Sequence, residues 1–198
     1  MISTEERVAE AHDLTQVLRR SGLKPLVLGG RSLLPIVQGG MGVGVSAHRL
    51  AGTVAGLGAV GTISSIDLRR HHADLMELTR GIAPGPAGTA AAKRAIDDAN
   101  LVALEREIRA AQALSEGQGL LAINVMRAVN EYGPSATRAL ECGIDALVVG
   151  AGLPLDLPDL AVDHPRALLI PILSDARGVQ LLVRKWERKK RLPDAIVI

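Results

Sequence analysis

Six short apolar runs alternate with amphipathic helical patterns, and this alternation restricts the chain to α/β folds built on a parallel sheet. The runs cover residues 36–38, 59–64, 120–124, 146–149, 168–173 and 195–198. They are continuous in apolar character, which is typical of strands covered on both faces. The clearest helical patterns cover residues 46–57, 134–142 and 175–191. Six strands with helical crossovers fit either an open doubly wound sheet or part of an eight-stranded barrel.

The remaining segments predict additions to this alternation within one domain, residues 1–198. Residues 4–21 form an amphipathic helical pattern, and 26–28 with 32–34 predict a small hairpin around Gly29 and Gly30. Between the second and third runs, the pattern predicts a helix at 67–79, a glycine- and proline-rich break at 81–88 and a long helix at 90–114. We interpret 67–117 as a helical insertion on one strand-to-helix connection.

Composition argues against nucleic acid as a partner. The chain of 198 residues has a formal net charge of +2, no Phe, one Tyr and one Trp. Stacking platforms for single-stranded nucleic acid need aromatic side chains. The basic cluster at 184–191 is therefore predicted to be the solvated face of a helix, whose apolar stripe is formed by Val179, Leu182, Val183 and Trp186.

The sequence also predicts a cytoplasmic protein with no membrane partner. No stretch approaches the ~18 uninterrupted apolar residues of a membrane helix, and the N-terminus lacks the apolar region of a signal peptide. Cys142 is the single cysteine, so the chain has neither an internal disulfide nor a cysteine metal site. Its position near the end of a helical pattern predicts a packed, unreactive thiol.

The segment 35–44, PIVQGGMGVG, is the strongest indication of a ligand site. An apolar run leads directly into four glycines, and a helical pattern follows through Ser46. Backbone without side chains lets a flat or anionic ligand approach closely, here facing a helix N-terminus. The segment does not fit a dinucleotide fingerprint, because position 47 is Ala and the next strand ends without an acid, and the chain has no phosphate loop of the GxxxxGK[ST] type.

Other small polar residues follow the predicted strands. They are Gln38, Ser64, Ser65, Asn124, Gly150, Gly152, Ser174 and Asp175. Carboxyl ends of neighbouring parallel strands meet at one edge, so these groups would converge on a surface suited to a flat heterocycle with several ring heteroatoms. Taken singly, Ser64 and Ser174 favour helix caps, and Asn124 fits a turn as readily as a ligand contact.

The histidines give no catalytic or metal-binding pattern. His71 and His72 are adjacent in a helical pattern, so their side chains point about 100° apart and cannot chelate one metal well. We expect them on a solvated helix surface. His48 begins the helix after the glycines and favours a structural role over a ligand contact. No residue is assigned as catalytic or as a metal ligand.

Four segments of the chain resemble the nitronate monooxygenases, formerly called 2-nitropropane dioxygenases. This family is related to the FMN-dependent enoyl-acyl-carrier-protein reductases. The segments that carry the resemblance are 33–65, 123–128 (INVMRA), 145–158 (DALVVGAGLPLDLP) and 170–178 (IPILSDARG), within residues 25–198. The resemblance implies an FMN-binding (β/α)8 TIM barrel that oxidises alkyl nitronates, small-molecule substrates, with flavin and O2. It places the backbone of Gly39, Gly40, Met41 and Gly42 against the flavin ring and Asn124 in a hydrogen bond to FMN. The resemblance also implies that Gly150 and Ser174, at the next strand ends, line the same pocket.

In that family an AGGH-like motif after the sixth strand provides the catalytic histidine, and later loops bind the FMN phosphate. The sequence ends at Ile198, within the sixth run. We therefore expect about six of eight strands, a chain truncated before its catalytic base, and two unpaired sheet edges that favour self-association into a homo-oligomer. Three alternatives stay open. They are a non-catalytic fragment or weak flavin-binding module, an FMN-dependent enoyl reductase-like enzyme, and a complete doubly wound nucleotide-binding protein.

Overall fold

The computed structural model describes residues 16–82 and 89–198. Residues 16–21 are helical, and the hairpin predicted from the sequence is present as antiparallel strands β1 (Leu26–Leu28) and β2 (Arg31–Leu33). The rest of the predicted N-terminal helix, and 83–88 of the predicted glycine-rich break, lie outside the described residues.

A parallel four-stranded sheet with helical crossovers follows the hairpin, so the prediction of an α/β fold is confirmed. The further elements, in chain order, are α1 (His48–Gly56), β3 (Val60–Ser64), a 3-10 helix (Leu68–His71), α2 (Ala73–Leu78), α3 (Ala90–Ser115), β4 (Leu120–Met126), α4 (Tyr132–Glu141), β5 (Ala146–Gly150), α5 (Leu157–Leu160), β6 (Leu168–Pro171) and α6 (Ala176–Glu187). The sheet order is β3-β4-β5-β6, which is also the sequence order.

The two outermost predicted strands are shorter than expected. Residues 36–38 and 195–198 pair with the sheet through single parallel bridges, Val37 to Val60 and Ile172 to Val197. Among the described residues each segment has a neighbouring strand on one side only, so less of its backbone is held in a ladder. All six predicted runs nevertheless lie side by side in sequence order, whereas a doubly wound sheet requires a reversal of that order.

The helix predicted at 67–79 is wrong as one continuous element. The backbone of His72 is extended (φ −121°, ψ 107°) and separates the 3-10 helix from α2. The break coincides with a tertiary contact, since His72 Nε2 lies 3.0 Å from Glu107 Oε1 of α3. A local helical pattern contains no information about that distant carboxylate.

The described helices cover one face of the sheet. Alternate strand residues on this face, including Ile63, Ile123, Leu147 and Leu169, are fully buried in a core shared with the helices. The contact is closest between α1 and β3, where a Cβ on Gly61 would lie 1.9 Å from the carbonyl oxygen of Ala51. Only glycine allows that approach.

The opposite face is covered by the hairpin toward the amino ends of the strands. Leu28 and Leu33 of the hairpin form a second apolar cluster with strand residues Val60, Leu120, Ala122, Ala146 and Ile170. Strand residues nearer the carboxyl ends of this face include Ser64, Asn124 and Gly150, which belong to neither apolar cluster. We call this side the inner face.

Two aspartates pair each following strand with its neighbour in the same way. Asp145, directly before β5, donates its N–H to Leu121 O (3.1 Å), and its Oδ2 accepts from Leu121 N (2.9 Å). Asp194, directly before 195–198, donates its N–H to Leu169 O (3.1 Å), and its Oδ2 accepts from Leu169 N (2.7 Å). Both occur in similar sequences, DALVV and DAIVI, so the short last segment has the same starting contact as the full strand β5.

Candidate functional site

The carboxyl edge of the sheet brings together several of the residues predicted to face a ligand. Ser64 pairs with Asn124 in the register of β3 and β4, and Met126 pairs with Gly150 in that of β4 and β5. The glycine segment, residues 39–46, contacts the end of β3, where Ser64 N donates to Ser46 O (2.9 Å). Three of the strand ends therefore meet there, as expected for parallel neighbours.

Gln38 fixes the start of the glycine segment. Its Oε1 accepts from Thr62 N (2.9 Å), and its Nε2 donates to Thr62 O (3.1 Å) and to Ser46 Oγ (2.9 Å). The side-chain amide thereby continues the pairing with β3 beyond the backbone. The sequence suggested Gln38 as a ligand-facing group, but its amide is engaged within the protein.

Ser46 closes the glycine segment into a compact loop. Its fully buried hydroxyl donates to Gly39 O (3.1 Å) and accepts from Met41 N (2.9 Å). Its backbone N–H donates to Met41 O (3.0 Å), and its carbonyl accepts from Ser64 N (2.9 Å). One residue thus satisfies both ends of the loop, and a serine between a glycine cluster and an apolar helix is the sequence signal for such a role.

The backbone of Gly40 lies directly against Asn124. A Cβ on Gly40 would be 2.3 Å from Asn124 Cβ and 3.0 Å from its Cγ, so no other residue fits there without displacement. Asn124 Nδ2 donates to Val148 O (3.2 Å), while Oδ1 has no hydrogen-bond partner within the described residues. By contrast, a Cβ on Gly39 would meet nothing within 4 Å, and one on Gly42 would be in ordinary contact with Ser64 Oγ at 3.5 Å.

The other predicted positions are joined less closely to this pair. Met41 is 46% exposed. A Cβ on Gly150 would lie 3.1 Å from Ile172 Cβ, which is a tight contact, and the carbonyl of Gly150 accepts from Arg127 N (2.7 Å). Ser174 is exposed and makes no hydrogen bond in the part of the chain that the structure describes.

The interpretation of Ser64 and Ser174 as helix caps is wrong. Asp67 precedes the 3-10 helix in the capping position, with a left-handed backbone (φ 52°), and Ser64 is the buried last residue of β3. Asp175 caps α6, where its Oδ1 accepts from Gly178 N (2.7 Å). A carboxylate is a strong acceptor at a helix N-terminus, so Asp175 takes this role at α6, whereas the side chain of Asp67 makes no capping hydrogen bond.

The N-terminus of α1 does not face an open anion site. The N–H of His48, its first residue, donates to Glu107 Oε2 at 2.8 Å, and His48 Nδ1 lies 2.7 Å from the same oxygen. A carboxylate of α3 therefore occupies the position in which an anionic ligand was expected. His48 accordingly has a structural contact, and His72, predicted to be solvated, is largely buried against the same carboxylate.

The sequence patterns did not identify Glu107, the carboxylate that contacts the N-terminus of α1. Its side chain is 1% exposed. The signal is its position within an otherwise apolar stripe of α3, at the spacing of Ala103, Leu104, Ile108 and Ala111, all of which are fully buried. Burial raises the pKa of Glu107, but hydrogen bonds from His48 and the charges of His48 and His72 outweigh it and hold the pKa below its ordinary value.

Beyond this carboxylate, Arg127 forms the charged rim of the carboxyl edge. Its guanidinium carbon lies 4.7 Å from the ring centroid of Tyr132, and its Nε lies 3.2 Å from Asp156 Oδ1. Tyr132 OH donates to the same carboxylate at 3.3 Å. Burial raises the pKa of Tyr132, so its hydroxyl stays protonated at neutral pH.

The remaining reactive groups have contacts of other kinds. His71 contacts Gly44, and His164 lies in a surface cavity of about 670 Å³ at the amino edge of the sheet, together with the Arg31–Asp145 ion pair (3.2 Å). Cys142 ends α4 half-buried, and burial raises the pKa of its thiol. Within residues 16–82 and 89–198, no group of three or more His, Cys, Asp or Glu is placed to hold a metal ion.

Outside the site, the basic cluster at 184–191 is largely solvated, as predicted, with Trp186 buried. Helix α6 ends at Glu187, however, so the second half of the cluster lies beyond the helix. None of the helices described has both the length and the apolar character needed to cross a membrane.

Searches with family models and with curated proteins find no match to the chain. The resemblance to flavin enzymes therefore stays a prediction from the sequence.

Proposed function

We propose that this chain forms the cofactor-facing part of an FMN-dependent oxidoreductase of the nitronate monooxygenase type. The observation that carries the proposal is the contact between Gly40 and Asn124. The resemblance assigns both positions to the flavin, although they are far apart in the sequence. Their packing makes one continuous surface of glycine backbone and a side-chain amide.

The chemistry of this surface supports a flat heterocycle as its ligand. The glycine segment presents backbone groups with little side-chain cover, and Asn124 Oδ1 is available as an acceptor. An isoalloxazine ring has a flat face and an edge of alternating donors and acceptors, which such groups recognise. When bound, FMN supplies the electron transfer, and these residues hold and orient it.

The fold supports the same proposal at a coarser level. Six parallel segments in sequence order, with the described helices on one face, match the winding of a (β/α)8 barrel. Barrel enzymes place their sites at the carboxyl ends of the strands, where the glycine segment and Asn124 lie. We therefore propose a TIM barrel as the complete architecture.

A second candidate function is flavin binding without catalysis. The described histidines are held elsewhere: His48 and His72 at Glu107, His71 at Gly44, and His164 at the amino edge. Within the described residues, no hydrogen bond or ion pair joins any of these four to Asn124, beside which a base would need to meet a substrate carbon. This observation favours a flavin-binding unit that does not turn over a nitronate by itself.

Titration of the purified chain with FMN, followed by the visible flavin spectrum, tests the binding proposal. We expect saturable spectral changes that Asn124→Asp weakens about tenfold, because the new carboxylate repels the electron-rich edge of the flavin. Gln118→Glu makes the same chemical change at an exposed amide before β4, at the opposite edge of the sheet, and should leave binding unchanged. Absence of any spectral change with the wild-type chain would refute FMN binding.

Oxygen uptake with an alkyl nitronate in the presence of FMN separates the two candidate functions. We expect no uptake above that of free FMN. Robust turnover would identify a competent enzyme and would require a base among these residues. A parallel assay with an enoyl thioester and a reduced nicotinamide tests the reductase alternative.

A further inference from the structure

A buried carboxylate of α3, which has no part in the proposed function, contacts the residues that adjoin the glycine segment. Glu107 Oε2 accepts the backbone N–H of His48 and lies 2.7 Å from its Nδ1, and His48 is two residues beyond the end of the segment. Glu107 Oε1 lies 3.0 Å from His72 Nε2, a buried nitrogen that has no hydrogen-bond partner within the described residues. One buried side chain therefore links α3 to α1 and to the connection after β3.

These contacts reach the glycine segment at two points. His48 determines where α1 begins, one residue after Ala47 and two after the hydroxyl of Ser46 that closes the loop. His71 is adjacent to His72, and its ring lies where a Cβ on Gly44 would approach Nε2 to 2.5 Å. Gly44 has φ +78°, a conformation that glycine adopts without strain.

We propose that Glu107 is the positioning residue of the glycine segment, which it holds through His48 and His72 in the conformation that receives the ligand. For the identity of the ligand, this inference rests on the proposed FMN function. Glu107 does not reach the inner face. It acts through the two histidines on backbone that contacts Asn124.

The charges around Glu107 make this role specific to the two histidines. On the 3-10 helix, Arg69 and Arg70 are both paired with Asp67. On α2, Asp74 is paired with Arg106 through two contacts of 2.9 Å, and on α3 Glu105 is paired with Arg109 and Arg138. His48 and His72 are thus the titratable groups in contact with Glu107 among the described residues.

Hydrogen exchange of individual amides tests the inference without any ligand. The amides of Met41 and Ser46 report on the loop, since each bonds within it. We expect Glu107→Gln to accelerate their exchange about tenfold, because the neutral amide that replaces the carboxylate accepts hydrogen bonds less strongly. Glu105→Gln, the same change at a more exposed carboxylate two residues earlier, should leave both amides unchanged.

Substitutions of His48 distinguish positioning from general stability. Asparagine can place its Nδ2 near the position of Nδ1, so His48→Asn should retain both slow exchange and FMN affinity, whereas His48→Leu should lose both about tenfold. Unchanged exchange in Glu107→Gln would overturn the inference. Equal acceleration at Met41 and at Val148 of β5 would also overturn it, because Glu107 would then stabilise the whole sheet.

The FMN titration keeps this inference separate from the proposed function. If the wild-type chain binds no FMN, the proposed function fails, and the exchange measurement still decides the role of Glu107. If FMN binds equally well to wild type and Glu107→Gln, the function stands and the positioning role is refuted.

Discussion

At the scale of single residues, the candidate site depends on which groups are already engaged. The sequence shows glycines and polar residues at the strand ends without distinguishing those that hold the loop from those left for a ligand. The polar side-chain groups of Gln38 and Ser46 are hydrogen-bonded within the glycine segment and to its neighbours. Asn124, in contrast, keeps one acceptor, its Oδ1, without a partner among the described residues. This distinction is set by contacts between residues that are distant in the chain.

Gly40→Ala tests the contact that carries the proposed function. The added methyl group would lie 2.3 Å from Asn124 Cβ, and we expect overpacking to cost about 1–3 kcal/mol of unfolding free energy. Gly39→Ala is the matched control, since its methyl group would meet no atom within 4 Å. Urea unfolding followed by the fluorescence of buried Trp186 measures both. Equal stability of the two variants would contradict the described packing.

At the scale of elements, the aspartates before β5 and before 195–198 connect sequence to register. Asp145 and Asp194 each bond to both backbone groups of one residue on the preceding strand. The similar sequences DALVV and DAIVI carry this pattern. The contact explains how 195–198 joins the sheet with only one bridge.

Asp194→Ala should lower the unfolding free energy by about 1–3 kcal/mol, because it removes the acceptor of the Leu169 N–H, whose residue is fully buried. Asp194→Asn keeps an acceptor and should cost less. Asp163→Ala, at an exposed aspartate, is the control and should be neutral. Thermal or urea unfolding measures all three, and a neutral Asp194→Ala would show that this segment is not held by its aspartate.

Helix α3 also contacts the connection before α4 through a pair of carboxyl groups. Burial, and then the hydrogen bond and charge of Glu131, raise the pKa of Asp97 to about 6. The folded state thus binds a proton more tightly than the unfolded state, in which an aspartate has a pKa of about 3.9. Stability from this site is present below pH ~4 and is lost as the pH rises through about 6.

Asp97→Asn should therefore raise the unfolding free energy, relative to wild type, more at pH 8 than at pH 4. Solvent screening at this partly exposed site reduces the expected difference to about 1 kcal/mol. Asp98→Asn, at the exposed neighbour, should show a smaller dependence on pH. Urea unfolding at both pH values gives the comparison. If the unfolding free energies of wild type and Asp97→Asn differ by the same amount at both pH values, the raised pKa of Asp97 is contradicted.

At the scale of the whole molecule, both sides of the sheet carry exposed apolar residues. Ile36 and Val37 are 53% and 60% exposed at one side, and Val197 and Ile198 are 42% and 82% exposed at the other. Exposed edge strands with apolar side chains favour pairing with another chain. We therefore predict self-association through an edge of the sheet.

Val37→Lys should shift the chain toward monomer, because a charge on an edge strand opposes pairing. Val27→Lys places the same charge at an exposed valine of the hairpin and should leave association unchanged. Sedimentation velocity over a concentration series measures both. A wild-type chain that stays monomeric throughout, or a Val37→Lys variant that associates as the wild type does, would contradict the prediction.

Most of the fold follows from patterns that depend on local sequence. Continuous apolar runs located β3 to β6 to within a few residues, and the apolar stripe of α6 placed Trp186 in the core. Predictions from local sequence patterns were wrong where contacts with distant residues determined the backbone conformation. His72 interrupts the helix predicted at 67–79 through its contact with Glu107, and the edge segments are short because each has one described neighbour.

The sequence by itself determined that parallel strand ends converge and that glycines with Asn124 lie among them. These properties depend on hydrophobic periodicity and on the absence of side chains, both of which are local. Only the tertiary structure decided that Gly40 touches Asn124, that Gln38 is consumed, and that Glu107 occupies the N-terminus of α1. Hydrogen-bond partners and packing contacts come from distant parts of the chain, so they are defined only when the chain has folded.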